Sequence, residues 1–224
     1  MKEIIIIATD VTPDNYPDAQ AGTALALAPV QDVPFLSFVL DALEEKKFSQ
    51  YIFAITQPAV QAFVKETYPD LPATFCLENK AMAAVAKAFE TATEEDILTV
   101  DAGYVANFDE QLLNKFHQIK NSTFTTVTRW VKDVDGLTSL TLNQKGLVTH
   151  AEANANYAAA YVYTGVSIVH APTLLMDATT EGNFSGHYLQ QKVSNGEVFA
   201  LEQDGTVVSI VTANNFAAAQ ESNL

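Results

Sequence analysis

Five consecutive apolar residues, Ile4 to Ala8, constrain the fold of this chain more than any other feature of its sequence. A strand with one face in water alternates apolar and polar residues, whereas an uninterrupted apolar run is typical of a strand buried on both faces. Such strands occur in parallel sheets that are covered by helices on either side. The run therefore predicts an α/β fold.

Strands and helices alternate through the first half of the chain, as they do in mainly parallel sheets. The predicted elements are a strand at 4–8, a helix from Pro34, a strand at 51–55, a helix at 57–67, a strand at 73–77, a helix at 79–92 and a strand at 96–100. Beyond residue 120 most predicted elements are strands, with turn signals at 135–136, 144–146 and 204–205. Since nothing marks a linker, residues 1–224 are predicted to form one domain with a mixed, mostly parallel sheet flanked by helices.

A further helix is predicted after Asp109, whose side chain can cap its first turn. Apolar residues follow at helical spacing and predict the face that this helix turns toward the core. These residues are Leu112, Leu113, Phe116 and Ile119.

Acidic residues outnumber basic residues by 27 to 12, which gives a formal net charge of −15 at pH 7. Arg129 is the only arginine. Because such a field repels polyanions, we expect neither nucleic acid nor an acidic membrane surface as a partner. Phosphate recognition favours the planar guanidinium group, so the composition also disfavours nucleoside triphosphates.

No apolar run approaches the roughly 18 residues that a membrane-spanning helix needs, and the first residues lack the pattern of a signal peptide. The single cysteine, Cys76, excludes an internal disulfide. We therefore expect a cytoplasmic protein without a membrane span, in which Cys76 is a small buried apolar side chain. The four histidines, residues 117, 150, 170 and 187, are dispersed, so neither a zinc site nor a catalytic triad is predicted.

Four segments resemble, in order and spacing, motifs of the sugar-1-phosphate nucleotidyltransferases. Residues 28–43, APVQDVPFLSFVLDAL, are similar to LPVxGKPLLxYxLDAL, and residues 98–109, LTVDAGYVANFD, to LVLNGDxxxDFD. Residues 163–170, YTGVSIVH, are similar to xTGIxVxxP, and residues 208–216, VSIVTANNF, to WxDIGTPEDY. The resemblance implies a single-domain, Rossmann-like nucleotidyltransferase fold of the GT-A type over nearly the entire chain.

In that family a sugar phosphate oxygen attacks the α-phosphate of a nucleoside triphosphate, while Mg²⁺ and basic groups hold the charge. The glycine-rich GxGxRxxP loop is replaced here by TDVTPDNYPD at residues 9–18, without glycine or arginine, and the lysine of PKALLPV falls on Leu25. The metal-binding aspartate of NGD falls on Gly103, two positions after Asp101, and that of WxDIGT falls on Ser209. The resemblance therefore implies a nucleotidyltransferase fold that has lost its reaction.

Six residues remain candidates for ligand binding, because they occupy or adjoin positions that the family uses. They are Thr9, Asp10, Glu78, Lys80, Asp101 and Glu152. The first two follow the first strand, the next two lie in the segment that corresponds to the nucleobase motif ETGG, and the last lies in the sugar motif EEKP. No catalytic residue is assigned, no cofactor is expected, and Asp101 is the one carboxylate close to a family metal position.

Two functions follow from this resemblance. The first is a binding or scaffold subunit in sugar-nucleotide or surface-polysaccharide metabolism, which recognises a sugar or sugar phosphate or pairs with a second copy or an active relative. The second is an active Mg²⁺-dependent enzyme with a rebuilt site. In that case Asp10, Asp14 or Asp101 holds the metal, and Lys80 or a partner chain supplies positive charge.

A third hypothesis rests on Asp133 and Asp135, which match the DxD motif of metal-dependent glycosyltransferases. In this interpretation the two aspartates bind a nucleotide-sugar donor through a metal. The pair directly precedes Gly136, however, and this pattern predicts a hairpin turn rather than the end of a buried strand.

Overall fold

Alternate isoleucines of the first strand enter two hydrophobic cores, one on each face of the sheet. The computed structural model describes residues 1–13, 16, 22–177 and 181–222. Strand β1 spans Glu3–Ala8 and is buried throughout. Ile4 and Ile6 pack in one core and Ile5 and Ile7 in the other, each at most 3% exposed. The prediction of a strand buried on both faces is confirmed.

Seven strands form one mixed sheet. The strands that follow β1 are β2 (Pro29–Val30), β3 (Val33–Pro34), β4 (Gln50–Ile55), β5 (Ala73–Leu77), β6 (Asp96–Asp101), β7 (Tyr104–Ala106), β8 (Phe124–Leu142), β9 (Val148–His170), β10 (Val198–Glu202) and β11 (Val207–Ser209). The sheet has the order β10-β8-β9-β6-β1-β4-β5, and only the two pairs that involve β9 are antiparallel. Strands β7 with β11 and β2 with β3 form two short antiparallel ribbons. The predicted mixed, mostly parallel sheet is confirmed.

Helices cover both faces of this sheet. They are α1 (Phe35–Glu44), α2 (Pro58–Thr67), α3 (Ala81–Thr91), α4 (Glu110–Lys120), α5 (Ala171–Asp177), α6 (Leu189–Ser194) and α7 (Ala213–Glu221), with a 3-10 helix at Leu25–Leu27 and a π-helix at Phe184–Tyr188. Buried residues of α1, α2, α4 and α7 join the core that contains Ile4, and those of α3, α5 and α6 join the other. None of the helices in the described ranges is long and apolar enough to cross a membrane.

One long hairpin replaces the four short strands predicted at 123–131, 137–142, 147–152 and 161–170. Strands β8 and β9 have 19 and 23 residues and pair from Phe124↔Val169 to Leu142↔Val148. The predicted turn at Asp135 and Gly136 is wrong, because both residues lie inside β8. Gly136 has a φ of +70° there, and the pairing register shifts beside it. Gly136 thus lies in a β-bulge rather than in the turn that the sequence pattern predicted.

The outer half of this hairpin folds back over its inner half. Leu140 pairs with Ala151 across the hairpin and also with Tyr161, which lies ten positions further along β9. At the tip, the Gly146 carbonyl oxygen accepts a hydrogen bond of 2.8 Å from the Ala200 N–H on β10. The fold-back closes the hairpin against the edge of the main sheet.

Asp109 caps α4 as predicted, because its Oδ1 accepts a hydrogen bond of 2.9 Å from the Leu112 N–H. The predicted core face of this helix is partly wrong, since Leu112 is 46% and Ile119 70% exposed. Leu113 is buried as predicted, and His117, which was not predicted to face the core, is the other buried residue of the helix. The apolar spacing therefore indicated a face of α4 that is rotated from the buried one, because the hydrogen-bonded side chain of His117 occupies a core position.

The corrected face of α4 can be tested with two truncations on the same helix. Leu113→Ala should lower the free energy of unfolding by about 2–5 kcal/mol, because Leu113 is fully buried and its removal leaves a cavity. Ile119→Ala should change it by less than about 0.5 kcal/mol, because that side chain is largely in water. Urea unfolding of both variants gives the two values, and equal losses would contradict the observed orientation of the helix.

Candidate functional site

The carboxyl ends of β1 and β6 lie side by side and bring two aspartates into one crevice. The pairing of these strands ends at Ile7↔Asp101, and the Ala102 N–H donates to the Ile7 carbonyl oxygen at 2.9 Å. Asp101 is the last residue of β6, and Asp10 follows the end of β1 by two residues. In α/β sheets ligands bind at this edge, which makes the crevice around Asp10 and Asp101 the candidate site.

Asp101 is held in a buried turn. It is 5% exposed, and its Oδ1 accepts a hydrogen bond of 2.9 Å from the Gly103 N–H. Burial, and next the charge of Asp10, raise the pKa of Asp101 to about 7, although hydrogen bonds from Gly103 and Ser185 oppose the rise. Asp101 therefore changes its charge near neutral pH.

Asp10 shares this environment. Burial raises the pKa of its carboxyl group, while a hydrogen bond from the Asn183 side chain opposes the rise. Asn183 Nδ2 lies 3.5 Å from Asp10 Oδ1, and Asn183 Oδ1 caps the π-helix by accepting from the Gly186 N–H at 3.1 Å. The residue before the π-helix thus connects that helix to the carboxyl end of β1.

Two buried tyrosines form an aromatic wall of the crevice. Tyr104 and Tyr163 are 2% and 0% exposed, and their rings meet edge to face at 5.5 Å. Burial and then the charge of Asp101 raise the pKa of both hydroxyl groups, so both stay neutral. Gly165 permits this contact, since a Cβ atom there would lie 2.6 Å from Cβ of Tyr104. The wall lowers the local polarity and strengthens the repulsion between the two aspartates.

The positions that correspond to charged residues of the family lie close to Asp101 but carry no charge. A Cβ atom on Gly103 would come within 2.9 Å of Val211 Cγ1, so a longer side chain has no room without movement of Val211. Leu25, in the position of the family's lysine, has its Cδ2 3.6 Å from the same point. Ser209 is 5% exposed and hydrogen-bonds to Tyr104.

No basic side chain balances the two aspartates among the described residues. None of the ion pairs formed there includes Asp10 or Asp101. Arg129 is 2% exposed, and its guanidinium group donates to the carbonyl oxygens of Asn107 and Gln203. The only arginine of the chain is therefore part of the framework and does not reach the crevice as a phosphate ligand.

No protein-family model matches this chain, and no curated protein matches its sequence. Solved structures do match: HddC from Yersinia pseudotuberculosis superposes with a TM-score of 0.84 at 14% identity over 99% of both chains, and its complex with GMP-PN superposes with a TM-score of 0.83. A putative glucose-1-phosphate thymidylyltransferase from Bacillus anthracis, in complex with a sucrose, gives 0.73 at 13% identity over 100% of this chain and 96% of that one. The chain has a sugar-1-phosphate nucleotidyltransferase fold. At these identities the likeness concerns the fold alone.

The six candidate residues divide into three groups within this nucleotidyltransferase fold. Asp10 and Asp101 come together, and Thr9 precedes Asp10 and is 6% exposed. Glu78 and Lys80 follow β5 at the same edge of the sheet, but no hydrogen bond or ion pair joins their side chains to the two aspartates. Glu152 lies on β9 and accepts a hydrogen bond from the Tyr157 hydroxyl group. Asp14, the third proposed metal ligand, lies outside the described residues.

The described residues of the crevice do not by themselves form a magnesium site of the kind that the fold family implies. Among residues 1–13, 16, 22–177 and 181–222 there is no group of three or more His, Cys, Asp or Glu side chains that could hold a metal ion. Mg²⁺ requires octahedral oxygen ligands at about 2.1 Å and usually retains several waters. Asp101 is almost fully buried and already accepts hydrogen bonds, while Gly103 and Ser209 offer no carboxylate.

The two aspartates of the DxD match do not face the crevice as a pair. Asp133 is exposed, with a φ of +55°. Asp135 Oδ2 accepts from Asn214 Nδ2 at 2.9 Å, and its carbonyl oxygen accepts from Asn215 Nδ2 at 2.8 Å. These bonds fasten the bulge of β8 to α7, which is a structural role.

One polar cluster that the sequence pattern does not reveal lies at the amino end of β6, opposite the crevice. His170 Nδ1 lies 2.9 Å and His117 Nε2 3.4 Å from Asp96 Oδ1, and His117 Nδ1 lies 2.8 Å from Thr125 Oγ1. Burial lowers the pKa of His117, while Asp96 opposes that change. Two of the four dispersed histidines thus come together beside Asp96. Their separation in the sequence conceals a contact that only the pairing of β6 with β9 creates.

Asp101→Asn should alter the pH dependence of stability. In the native state the pKa of Asp101 is raised to about 7 from its ordinary value of 3.8. Between these two pH values the native state therefore binds more protons than the unfolded state. The contribution of Asp101 is present below about pH 4 and is lost as the pH rises through about 7. We expect the stability of the variant, relative to wild type, to increase by about 2–3 kcal/mol between about pH 5 and about pH 8, measured by urea unfolding.

Two controls accompany this measurement. Asp70→Asn removes an exposed carboxylate in the turn before β5 and should follow the wild-type curve. Because the native pKa of His117 is lowered, the native state loses stability as the pH falls below 6.5, the ordinary pKa of histidine. Wild type and Asp101→Asn both retain His117, so this loss cancels when the stability of one is subtracted from that of the other. Parallel wild-type and Asp101→Asn curves would contradict the proposed titration.

Proposed function

We propose that this chain is a nucleotidyltransferase-like protein that does not transfer nucleotides. It acts in the cytoplasm as a binding or scaffold subunit in sugar-nucleotide or surface-polysaccharide metabolism. The observation that carries the proposal is the pair of adjacent carboxylates, Asp10 and Asp101, at the ligand-binding edge of the sheet without a basic partner among the described residues.

Electrostatics argue against a triphosphate in this crevice. Enzymes that transfer phosphoryl or nucleotidyl groups stabilise the charge of the phosphates with cations and backbone N–H groups. Here the segment at 9–18 contains three aspartates, and Leu25 occupies the position of a family lysine. Any triphosphate would therefore meet the negative charge that Asp10 and Asp101 retain, and no basic side chain among the described residues offsets that charge.

Uncharged hydrogen-bonding groups favour a sugar as the ligand. Asn183 and Ser185 line the crevice beside the two carboxylates, and Thr138 bonds to the Tyr104 hydroxyl group. Carboxylates accept hydrogen bonds from sugar hydroxyl groups at no cost in charge repulsion. A sugar phosphate is a weaker candidate, because its phosphate would meet the same field. Pairing with a second copy or with an active relative would supply the missing cations.

Calorimetric and thermal-shift titrations with ATP, GTP, CTP, UTP and dTTP, each with and without excess Mg²⁺, test the proposal. A ligand at a hundred times its Kd adds about 2.7 kcal/mol to stability, which is readily measured. We expect no shift for any of the five and no pyrophosphate release in the presence of sugar 1-phosphates. The double variant Asp10→Asn with Asp101→Asn removes the proposed repulsion, so any triphosphate binding should appear there first.

A Mg²⁺-dependent shift of the wild-type protein that is selective for one base would contradict the proposal. It would favour the active enzyme in which Asp10 or Asp101 holds the metal. A parallel titration with neutral hexoses and disaccharides tests the sugar. A saturable heat signal that Asp101→Asn abolishes would support the crevice as the binding site.

A further inference from the structure

Three aromatic side chains of the hairpin line one depression, and none of its lining residues belongs to the crevice around Asp10 and Asp101. Trp130 is 55% and Tyr157 46% exposed, and Tyr161 packs against Trp130. Large aromatic side chains contribute most to stability when they are buried, so a group left in water is typical of a binding surface. We call this group, together with Glu152 and His150, the aromatic pocket.

The aromatic pocket is an open depression with a volume of about 360 Å³. Two polar residues and four apolar residues complete its lining, namely Ser139, Thr141, Leu140, Leu142, Ala159 and Ala160. The rings of Trp130 and Tyr161 stand at 73° with their centres 5.0 Å apart, so they form two walls of a corner. Cavities of this size accept small molecules rather than a polypeptide surface.

Negative charge lies next to two of the three rings. The Tyr157 hydroxyl group donates a hydrogen bond to Glu152, and the Tyr161 hydroxyl group donates to Glu202 Oε2 at 3.1 Å. No lysine or arginine lines the cavity among the described residues. Arg129, next to Trp130 in the sequence, is 2% exposed and bound to backbone carbonyls, so it does not neutralise the carboxylates.

We propose that the aromatic pocket binds a small organic cation, a quaternary ammonium compound. The faces of aromatic rings are negative and attract such a cation, most strongly at tryptophan, and neighbouring carboxylates add to the attraction. The absence of basic lining residues and the net charge of −15 disfavour anions. This site is distinct from the crevice, so its test is independent of the proposed function.

Fluorescence provides a direct readout, because Trp130 is the only tryptophan of the chain. Titration of the full-length protein with choline should quench this fluorescence to saturation. The neutral isostere of choline, in which carbon replaces the quaternary nitrogen, has nearly the same shape and should bind at least about tenfold more weakly. Equal affinities for the two compounds would overturn the proposal in favour of a merely apolar pocket.

Substitutions in the aromatic pocket test whether choline binds there. Glu152→Gln should weaken choline binding about threefold to tenfold, because it removes the charge but retains the shape. Glu66→Gln, at an exposed position on α2, is the matched control and should leave the affinity unchanged. Trp130→Ala should abolish the heat of choline binding in calorimetry, and circular dichroism checks that the exposed substitution leaves the fold intact.

Other results would overturn the proposal. Saturable quenching by a neutral hexose without quenching by choline would indicate a sugar site. A dimer in sedimentation that Trp130→Ala converts to a monomer would indicate that a second copy of the chain covers the aromatic side chains. The absence of any fluorescence or heat change with choline would show that the pocket does not recognise organic cations.

Discussion

The parallel pairing of β1 with β4 on one edge and β6 on the other determines most of this structure. Because both faces of β1 are buried, the strand contributes residues to both cores, and helices cover it on either side. Because β1 and β6 are parallel, their carboxyl ends emerge at the same edge, and Asp10 and Asp101 meet there. The acidic crevice is thus a direct consequence of strand direction.

This arrangement separates the architecture of the nucleotidyltransferase fold from its chemistry. The fold needs apolar strands, a tight turn after β6 and small residues where backbones meet, and all of these are present. The proposed loss of the reaction rests on the sequence comparison, which aligns Leu25, Gly103 and Ser209 with the charged positions of the family.

The sequence was sufficient for features that depend on local patterns or on strand order. The burial of β1, the alternation in the first half and the cap at Asp109 all follow from such patterns. It was insufficient where a residue with a familiar local pattern makes its main contacts with residues far away in the sequence. Gly136 has turn chemistry but forms a bulge fastened to α7, and His117 occupies a core position of α4 because β6 and β9 bring Asp96 and His170 beside it. Such contacts arise only after the sheet is assembled.

The fold-back of the hairpin also bears on how the chain folds. The inner half of β8 pairs with β10, and the hairpin tip binds β10 through Gly146 and Ala200, although β10 is synthesised long after both hairpin strands. Contacts between distant segments require closure of long loops and therefore form slowly. The outer half of the hairpin can reach its final position only after β10 has joined the sheet. The aromatic pocket, which residues of both halves line, should then form only when the outer half folds back over the inner half.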